Sequence, residues 1–456
     1  MFEVRPYLIC FSLACAMIVI DSQNTQAQEM NLTVQDSVRI AIQNNLSLKE
    51  SDFDSRAAES ELTRVRSGQG ITFNVAVVGS QQTYLSQDQI SAASYNNYQT
   101  QVQIKKMLVP SRELRHTLNL TKRDIGIAAL EKENVRRNLI YTTKSLHWKI
   151  ITLYNLRALQ LKRVDRFKKM SEVASAKEKY GLGFRLDTNW AETQLGLAMD
   201  GLNETENELE LNELQFHQTL QIASAERLHF VDDLPETSQT AEPLLLLVAR
   251  IKNQKELDIA SLHLGKKAED ERFAHRRLFP SFNIAGGYNE IDGRTASIGI
   301  DDTWTASVTG SYPIENEIPI FYQKNYFANF LISYDILDGF TARANLRSAQ
   351  ANFQSEQARF QETEAALQQQ IEKNHLALQN AINRVRTLEK ISTIAEENVK
   401  ASQLRYNAGR SSLTDFLNIE TDGFEAASKL LNARLDLNLA AELVKKDLNM
   451  GDYAHE

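Results

Sequence analysis

Two glycine-containing segments are the strongest candidates for chemistry in this sequence. They read YGLGFRLDTNWAET at 180–193 and YNAGRSSLTDFLNIET at 406–421, and each contains an aspartate, Asp187 or Asp415. A glycine-rich loop can hold a phosphate, but GLGF at 181–184 lacks the preceding strand and the following Lys-Ser/Thr of a phosphate loop. The helix dipole favours a solvated carboxylate near a helix start, so Asp415 needs no further role. Both segments are therefore predicted to be turns between helices.

The histidines, cysteines and basic segments show no catalytic or metal-binding pattern. The eight histidines include no i, i+4 pair and no His-Glu-x-x-His sequence, so no metal or cofactor site is predicted. The basic segments RELRHTLNLTKR and DRFKKM (165–170) lie on helices rich in glutamate and are interpreted as solvated surface. No constellation supports an enzyme. Since the net charge is −8, nucleic acid is not expected as a partner.

The first 27 residues have the pattern of a secretory signal peptide. An apolar run from Tyr7 to Ile20 is too short to span a bilayer, and Thr25 and Ala27 are small residues suited to cleavage after Ala27. A short membrane anchor is the alternative, and lipidation of Cys15 stays open. No later segment has 18 consecutive apolar residues, so we expect any membrane crossing to be made by strands.

An internal repeat organises the chain. A shift of 228 residues superposes Asn97 on Asn325 and continues without a gap to the glycine turns, whereas a shift of 209 matches TFNVAVVG with SFNIAGGY. The difference of 19 residues is extra sequence in the second copy, within 289–324. The predicted divisions are a signal peptide (1–27), a first repeat (28–226), a linker (227–243), a second repeat (244–448) and a C-terminal tail (449–456).

Each repeat is predicted to contain a helix, two strands, a long helix, the glycine turn and a final helix. The long helices are predicted at 112–179 and 341–408, and each would be roughly 100 Å long at ~1.5 Å per residue. Apolar residues on the second of them step by seven, which indicates a coiled-coil seam. Helices of this length need equally long antiparallel neighbours. Gly181 and Gly409 are expected to end them with positive φ, and Ser412 or Thr414 to cap the next helix.

The strands are predicted at 71–78, 98–109, 280–288 and 325–337. Their residues alternate between apolar and polar, which suits a transmembrane barrel or, equally well, a soluble sheet, and the secretion signal favours the barrel. Four strands cannot close a barrel, so several chains are required, and three would give twelve strands. The loop 289–324 could form a projecting hairpin or an upward extension of the strands, and we favour the projecting hairpin. The expected lipid-facing residues are Tyr98, Val102, Ile104, Tyr326, Phe330, Ile332 and Tyr334.

The segments LTVQDSVRIAIQNNLSLK (32–49) and YDILDGFTARANLRSAQA (334–351), with the two glycine turns, resemble the TolC-like outer-membrane efflux protein family. The resemblance implies a mostly helical homotrimer with long coiled-coil hairpins in a periplasmic tunnel and a 12-stranded barrel in outer-membrane lipid. It also implies a periplasmic adaptor and an inner-membrane pump or ATP-driven exporter as partners. The exported substrate stays open. A periplasmic coiled-coil scaffold or adaptor with a soluble β-domain is the alternative function.

The resemblance also implies a periplasmic gate at the hairpin tips. Asp415 and Asn418 fall on the family's two acidic positions, Tyr406 falls on its gating tyrosine, and Asp187 on that tyrosine's partner. Asn418 departs from the family pattern, which should weaken the binding of cations at the gate. Ser411 stands where some members have a gating arginine. The turn residues that the resemblance places at the adaptor contact are Gly181, Gly183, Arg185, Gly409, Arg410, Ser411 and Ser412.

Overall fold

The structure is a computed structural model of the chain. It describes residues 30–85, 92–223, 228–235, 243–276, 281–290, 293–316, 324–333 and 340–453. The predicted signal peptide and Tyr334 lie outside the described residues.

The described chain is mostly helical, which confirms the predicted fold class. No described helix combines the length and the apolar character that a membrane span needs. Two short 3-10 helices cover Arg250–Asn253 and Gly451–Tyr453. The α-helices are α1 (Val34–Asn44), α2 (Leu46–Ser67), α3 (Arg112–Lys179), α4 (Arg185–Leu220), α5 (Leu244–Ala249), α6 (Lys255–Arg276), α7 (Thr341–Asn407) and α8 (Leu413–Asp447).

The two long helices α3 and α7 contain 68 and 67 residues, so each is roughly 100 Å long at ~1.5 Å per residue. Towards their N-terminal ends they pack against α2 and α6, and towards their C-terminal ends against α4 and α8. Four helices therefore run side by side at each level of the rod. The predicted first helix is divided in the structure, because the side chain of Asn45 accepts hydrogen bonds from Ser47 N–H and Leu48 N–H and starts α2.

The core is a set of seams between helices. Leu378 and Val385, seven residues apart on α7, are buried against Ala433 and Leu437 of α8. Where α1, α3 and α4 meet, another cluster buries Ile150 and other apolar side chains. This spacing of seven agrees with the coiled-coil seam that the sequence predicts.

The strands form two sheets. The smaller is a parallel pair of β1 (Met30–Leu32) and β4 (Leu228–Phe230). In the larger sheet, six strands follow in the order β2-β3-β7-β6-β5-β8, and every neighbouring pair is antiparallel. The bounds of the six are β2 (Ile71–Leu85), β3 (Ala92–Met107), β5 (Ser281–Asn289), β6 (Thr295–Asp301), β7 (Thr305–Asn316) and β8 (Asn325–Ser333).

The four predicted strands are present, and within the described residues the sheet contains six strands in place of the four predicted per chain. The additional strands β6 and β7 come from the loop 289–324, and we call them together the insert hairpin (295–316). Instead of projecting, the insert hairpin lies in the sheet between β3 and β5. The physical reason is that its backbone N–H and C=O groups find partners on both sides there, which a projecting hairpin could not provide.

One face of the six-stranded sheet is apolar. In an antiparallel pair, residues opposite each other share a face, and Phe73 lies opposite Ile104, Ile104 opposite Val308, and Val308 opposite Ile298. Among the predicted lipid-facing residues, Tyr326, Phe330 and Ile332 on β8 are 82%, 66% and 60% exposed. Tyr98, Val102 and Ile104 share one face of β3, and Ile104 is on the apolar face of the sheet. The other face carries mostly Gln, Ser, Thr and Asn side chains, together with Lys105, Phe327 and Leu331.

Candidate functional site

The two glycine turns have the same backbone geometry. Gly181 has φ +69° and Gly409 has φ +67°. Leu182 N–H donates to Lys177 O over 2.8 Å, and Arg410 N–H donates to Arg405 O over the same distance. These are Schellman C-caps, in which the glycine adopts a left-handed conformation that costs other residues energy. Each turn therefore reverses the chain from a long helix, α3 or α7, into the shorter helix that packs back along it.

The turns differ in how the following helix begins. The Ser412 side chain accepts a hydrogen bond from Asp415 N–H over 3.0 Å and caps α8, whereas Phe184 at the start of α4 makes no side-chain cap. The Asp415 carboxylate is exposed in the first turn of α8, and Asn418 is exposed one turn later. Asp187 is half-buried in the first turn of α4. The Asp415 carboxylate is thus free to face solvent or another copy of the chain.

Tyr406 connects the second turn to the first hairpin. Its ring stacks on Phe416 with 5.5 Å between the ring centroids, and its hydroxyl lies 3.4 Å from Lys177 Nζ. The Lys177 ammonium also lies 5.1 Å from the centre of the Tyr406 ring, which is a favourable cation–π distance. The structure does not bring Tyr406 and Asp187 together as a hydrogen-bonded pair; within this chain the hydroxyl contacts Lys177 from α3 instead.

Helix α8 joins the two hairpins. Phe416 and Leu417 are buried in a cluster that includes Phe167 of α3 and Ala191 of α4. This apolar contact holds the tip of the α7–α8 hairpin against the α3–α4 hairpin within one chain.

An ion pair that the sequence did not predict lies one turn further along α8. The Arg166 guanidinium binds the carboxylate of Glu420, which is only 7% exposed. Arg163, one turn before Arg166, lies 4.5 Å above the Phe424 ring. The interpretation of DRFKKM (165–170) as solvated surface is therefore wrong for Arg166 and Phe167, because both contact α8. The partners are more than 250 residues apart, and no local pattern identifies such a pair.

The surfaces of the two turns have opposite character. Around the first turn, the apolar side chains of Tyr180, Leu182, Phe184 and Leu186 are each between 75% and 79% exposed, with the exposed Arg185 among them. Around the second turn, the exposed residues include Arg410 and Ser412, and Ser411 is half-buried. Gly183 lies in the first turn against Lys177, whose Cβ would be 3.0 Å from an added methyl group. The first turn therefore offers an apolar surface and the second a polar one.

Within the part of the chain that the structure describes, no group of three or more His, Cys, Asp or Glu side chains is arranged to hold a metal ion.

Comparisons with known proteins bear on both the sequence and the fold. Residues 246–446, which extend from α5 to the end of α8, match the family described as outer membrane efflux protein. No curated protein sequence matches the chain.

The fold matches solved outer-membrane channels over most of the chain. A membrane protein from Pseudomonas aeruginosa has a TM-score of 0.76 at 15% identity, covering 93% of this chain and 91% of that one. The CmeC outer membrane channel of Campylobacter jejuni has a TM-score of 0.74 at 14% identity, with 93% and 87% covered. The outer membrane protein VceC of Vibrio cholerae has a TM-score of 0.71 at 14% identity, with 92% and 96% covered. At these identities the similarity shows the shared fold.

Proposed function

We propose that this chain, whose resemblance to TolC-like outer-membrane efflux proteins is confirmed by the family match and the fold, is one subunit of a trimeric exit duct. The duct lies in the outer membrane of a Gram-negative bacterium and extends into the periplasm. It conducts its cargo passively, and a partner in the inner membrane supplies the energy.

The observation that carries this proposal is the uncovered apolar face of the six-stranded sheet. Tyr326, Phe330 and Val77 expose 82%, 66% and 66% of their surface, although a water-soluble sheet would cover such a face. Apolar side chains on one face and amide or hydroxyl side chains on the other are the arrangement of a barrel wall between lipid and a water-filled lumen. The lipid-facing role of Tyr98, Val102, Ile104 and Ile332 is part of this proposal.

Further copies of the chain must complete the wall. Within the described residues, β2 and β8 each pair on one side only, so they form the two edges of the sheet. An unpaired backbone edge cannot persist in lipid, and closure into a barrel removes it. Apolar side chains also remain exposed on the helices, among them Phe53 of α2, Leu211 of α4 and Ile394 of α7. Three chains would satisfy both the edges and these helix surfaces.

The hairpin tips form the periplasmic end of the proposed duct. We place the gate at Tyr406, Asp415, Asn418 and Asp187, and the contact with a periplasmic adaptor at the two turns. The exposed apolar surface around Leu182 and Phe184 supports an adaptor contact, because an isolated apolar patch of this kind is typical of protein interfaces. A tripartite efflux pump or an ATP-driven type I exporter would complete the system.

The test compares how a positive charge on either face of β8 affects assembly of the trimer. Phe330→Arg puts a cation on the apolar face, where the cost near the bilayer centre is about 2–4 kcal/mol, so we expect loss of assembled trimer from the outer-membrane fraction. The matched control is Asn329→Arg, one residue away on the polar face, and it should assemble normally. The measurement is a detergent-resistant, heat-modifiable trimer on gels of isolated outer membranes.

Two results would contradict the proposal. If the unaltered chain appears in the soluble periplasmic extract, the scaffold alternative is favoured. If Phe330→Arg and Asn329→Arg assemble equally well, the apolar face does not contact lipid.

A further inference from the structure

The insert hairpin is paired with the sheet on both sides over most of its length. Strand β7 pairs with β3 from Asn97 to Met107, and β6 pairs with β5 from Asn283 to Asn289. Since β3 and β5 run in opposite directions, only an even number of strands can be added between them without breaking the antiparallel order. The insert hairpin supplies such a pair, so its strands belong to the same wall as the other four.

The faces of the insert hairpin match those of its neighbours. Val308 lies opposite Ile104 on one side and Ile298 on the other, and Val308 and Ile298 are 50% and 62% exposed. One residue on, Thr309 lies opposite Gln103 and Ser297. A register slip by one residue would exchange the two faces, so this agreement fixes the register. The apolar face therefore continues across the insert hairpin without a break.

Polar contacts tie the insert hairpin together on the opposite face. Gln103 Nε2–H donates to Thr309 Oγ1 over 3.1 Å and joins β3 to β7. The hydroxyl oxygens of Thr295 and Ser311 lie 2.7 Å apart and join β6 to β7. A face whose hydroxyl and amide groups bind one another and water is suited to a lumen and not to lipid.

We infer that the insert hairpin makes this chain's barrel wider than a four-strand subunit allows: three chains close a wall of 18 strands. The inference rests on the proposed trimeric duct and adds to it the size and lining of its outer part. With strands ~4.8 Å apart and tilted by ~40°, the mean diameter rises from about 24 Å for 12 strands to about 36 Å for 18 strands.

The helical part supports this diameter. Each chain presents four helices at each level, and twelve helices ~9–10 Å apart make a ring of about 34–38 Å mean diameter. An 18-stranded wall therefore continues the helical ring with little change of radius. The duct is then narrowest at the hairpin tips, and the outlet admits any hydrated cargo, a polypeptide segment included, that has passed the tips.

Thiol labelling tests the position of the insert hairpin. The two native cysteines, Cys10 and Cys15, lie in the predicted signal peptide, so after its cleavage a single added cysteine can be followed in the assembled trimer. A charged methanethiosulfonate reagent should label Thr309→Cys from the lumen at least about tenfold faster than Val308→Cys, which lipid protects. The matched control is Gln103→Cys against Val102→Cys on β3. The inference would be overturned if Val308→Cys and Thr309→Cys were labelled at equal rates while Gln103→Cys was labelled faster than Val102→Cys.

A cross-link and a strand count complete the test. Oxidation of Gln103→Cys/Thr309→Cys should form a disulfide within one chain. The control, Gln103→Cys/Ala285→Cys, should not, because two intervening strands place β3 and β5 about 14 Å apart. Cryo-electron microscopy of the trimer should show 18 strands. A trimer with 12 strands would overturn the inference and leave the duct intact, whereas a particle with no barrel would refute the proposed function itself.

Discussion

At the residue scale, the gate proposal depends on Asp415 and Asn418, which are exposed on successive turns of α8. At positions 415 and 418, one carboxylate per chain gives the proposed trimer three charges, and an acidic residue at 418 would give six. Carboxylates that converge in a narrow opening repel one another and hold multivalent cations, so the number of charges sets the affinity.

We predict that Asn418→Asp strengthens block of the channel by divalent and trivalent cations by about tenfold, which corresponds to ~1.4 kcal/mol. The measurement is conductance in planar bilayers with cation added on the periplasmic side. Asn432→Asp adds the same charge to the exposed surface of α8 about 21 Å further from the tip and should change block little. Unchanged block by Asn418→Asp would remove position 418 from the gate.

A second residue-scale prediction concerns His147, which is fully buried on α3. Its ring packs edge-on against Phe216 and Phe230, and its Nδ1 lies 3.0 Å from the Ser37 hydroxyl. Burial lowers the pKa of His147 from 6.5 to about 4. The unfolded chain therefore takes up a proton below about pH 6.5 that the folded chain refuses until about pH 4.

Stability should consequently fall as the pH decreases from about 6.5 to 4, by about 2 kcal/mol at pH 5 for this residue alone. The thermal midpoint of the purified trimer at pH 7.5 and pH 5 measures the effect. His147→Gln should lose part of that pH dependence, and His229→Gln, which removes an exposed ring, should retain it. If the thermal midpoint changed between pH 7.5 and pH 5 by the same amount in both variants, the assignment to His147 would be contradicted.

At the element scale, a glycine in a turn and a glycine within a helix should respond differently to substitution by alanine. An added Cβ would meet nothing within 4 Å at Gly409 or at Gly196, but only Gly409 has positive φ. Gly409→Ala should therefore destabilise the hairpin tip by about 1–2 kcal/mol through backbone strain. Gly196→Ala, inside α4, should stabilise its helix by about 0.5–1 kcal/mol.

Amide hydrogen exchange at residues 404–412 and 192–200 measures the two effects locally. Faster exchange around the second turn in Gly409→Ala, together with slower exchange in Gly196→Ala, is the expected pair of results. Slower exchange around residue 409 in the alanine variant would show that the left-handed conformation does not limit this turn.

Elements with local boundary signals could be predicted from the sequence. The bounds of α3 agree with the prediction because Ser111 accepts a hydrogen bond from Leu114 N–H at its start and Gly181 ends it. The sequence favours a hairpin in 289–324 but does not predict its place in the sheet, because the alternation of a strand does not identify the strand that it pairs with. The Gln103–Thr309 contact joins residues 206 positions apart, and the Arg166–Glu420 pair joins residues 254 positions apart. Contacts between residues so far apart in the sequence can be identified only in the folded structure.

At the scale of the whole molecule, folding and assembly should be coupled. The edges of the sheet, its apolar face and the apolar residues of α2, α4 and α7 are all exposed in a single chain. A lone subunit therefore lacks partners for much of the surface that would stabilise it.

We predict that trimer dissociation and loss of tertiary structure occur in one transition in detergent, with a midpoint that rises with protein concentration. Near-ultraviolet circular dichroism and size-exclusion light scattering on the same samples measure the two processes. A folded monomer that persists after dissociation would contradict this coupling.

The contrast between the two turns would give the periplasmic end of the proposed duct an alternating surface. In a threefold assembly, three apolar tips would alternate with three polar ones. The apolar tips carry Tyr180, Leu182, Phe184 and Leu186, and the polar tips carry Arg410 and Ser412. The six tips would share the same backbone geometry and differ in the polarity of their exposed side chains. A partner that contacts all six tips of the proposed trimer would therefore meet apolar and polar surfaces in alternation.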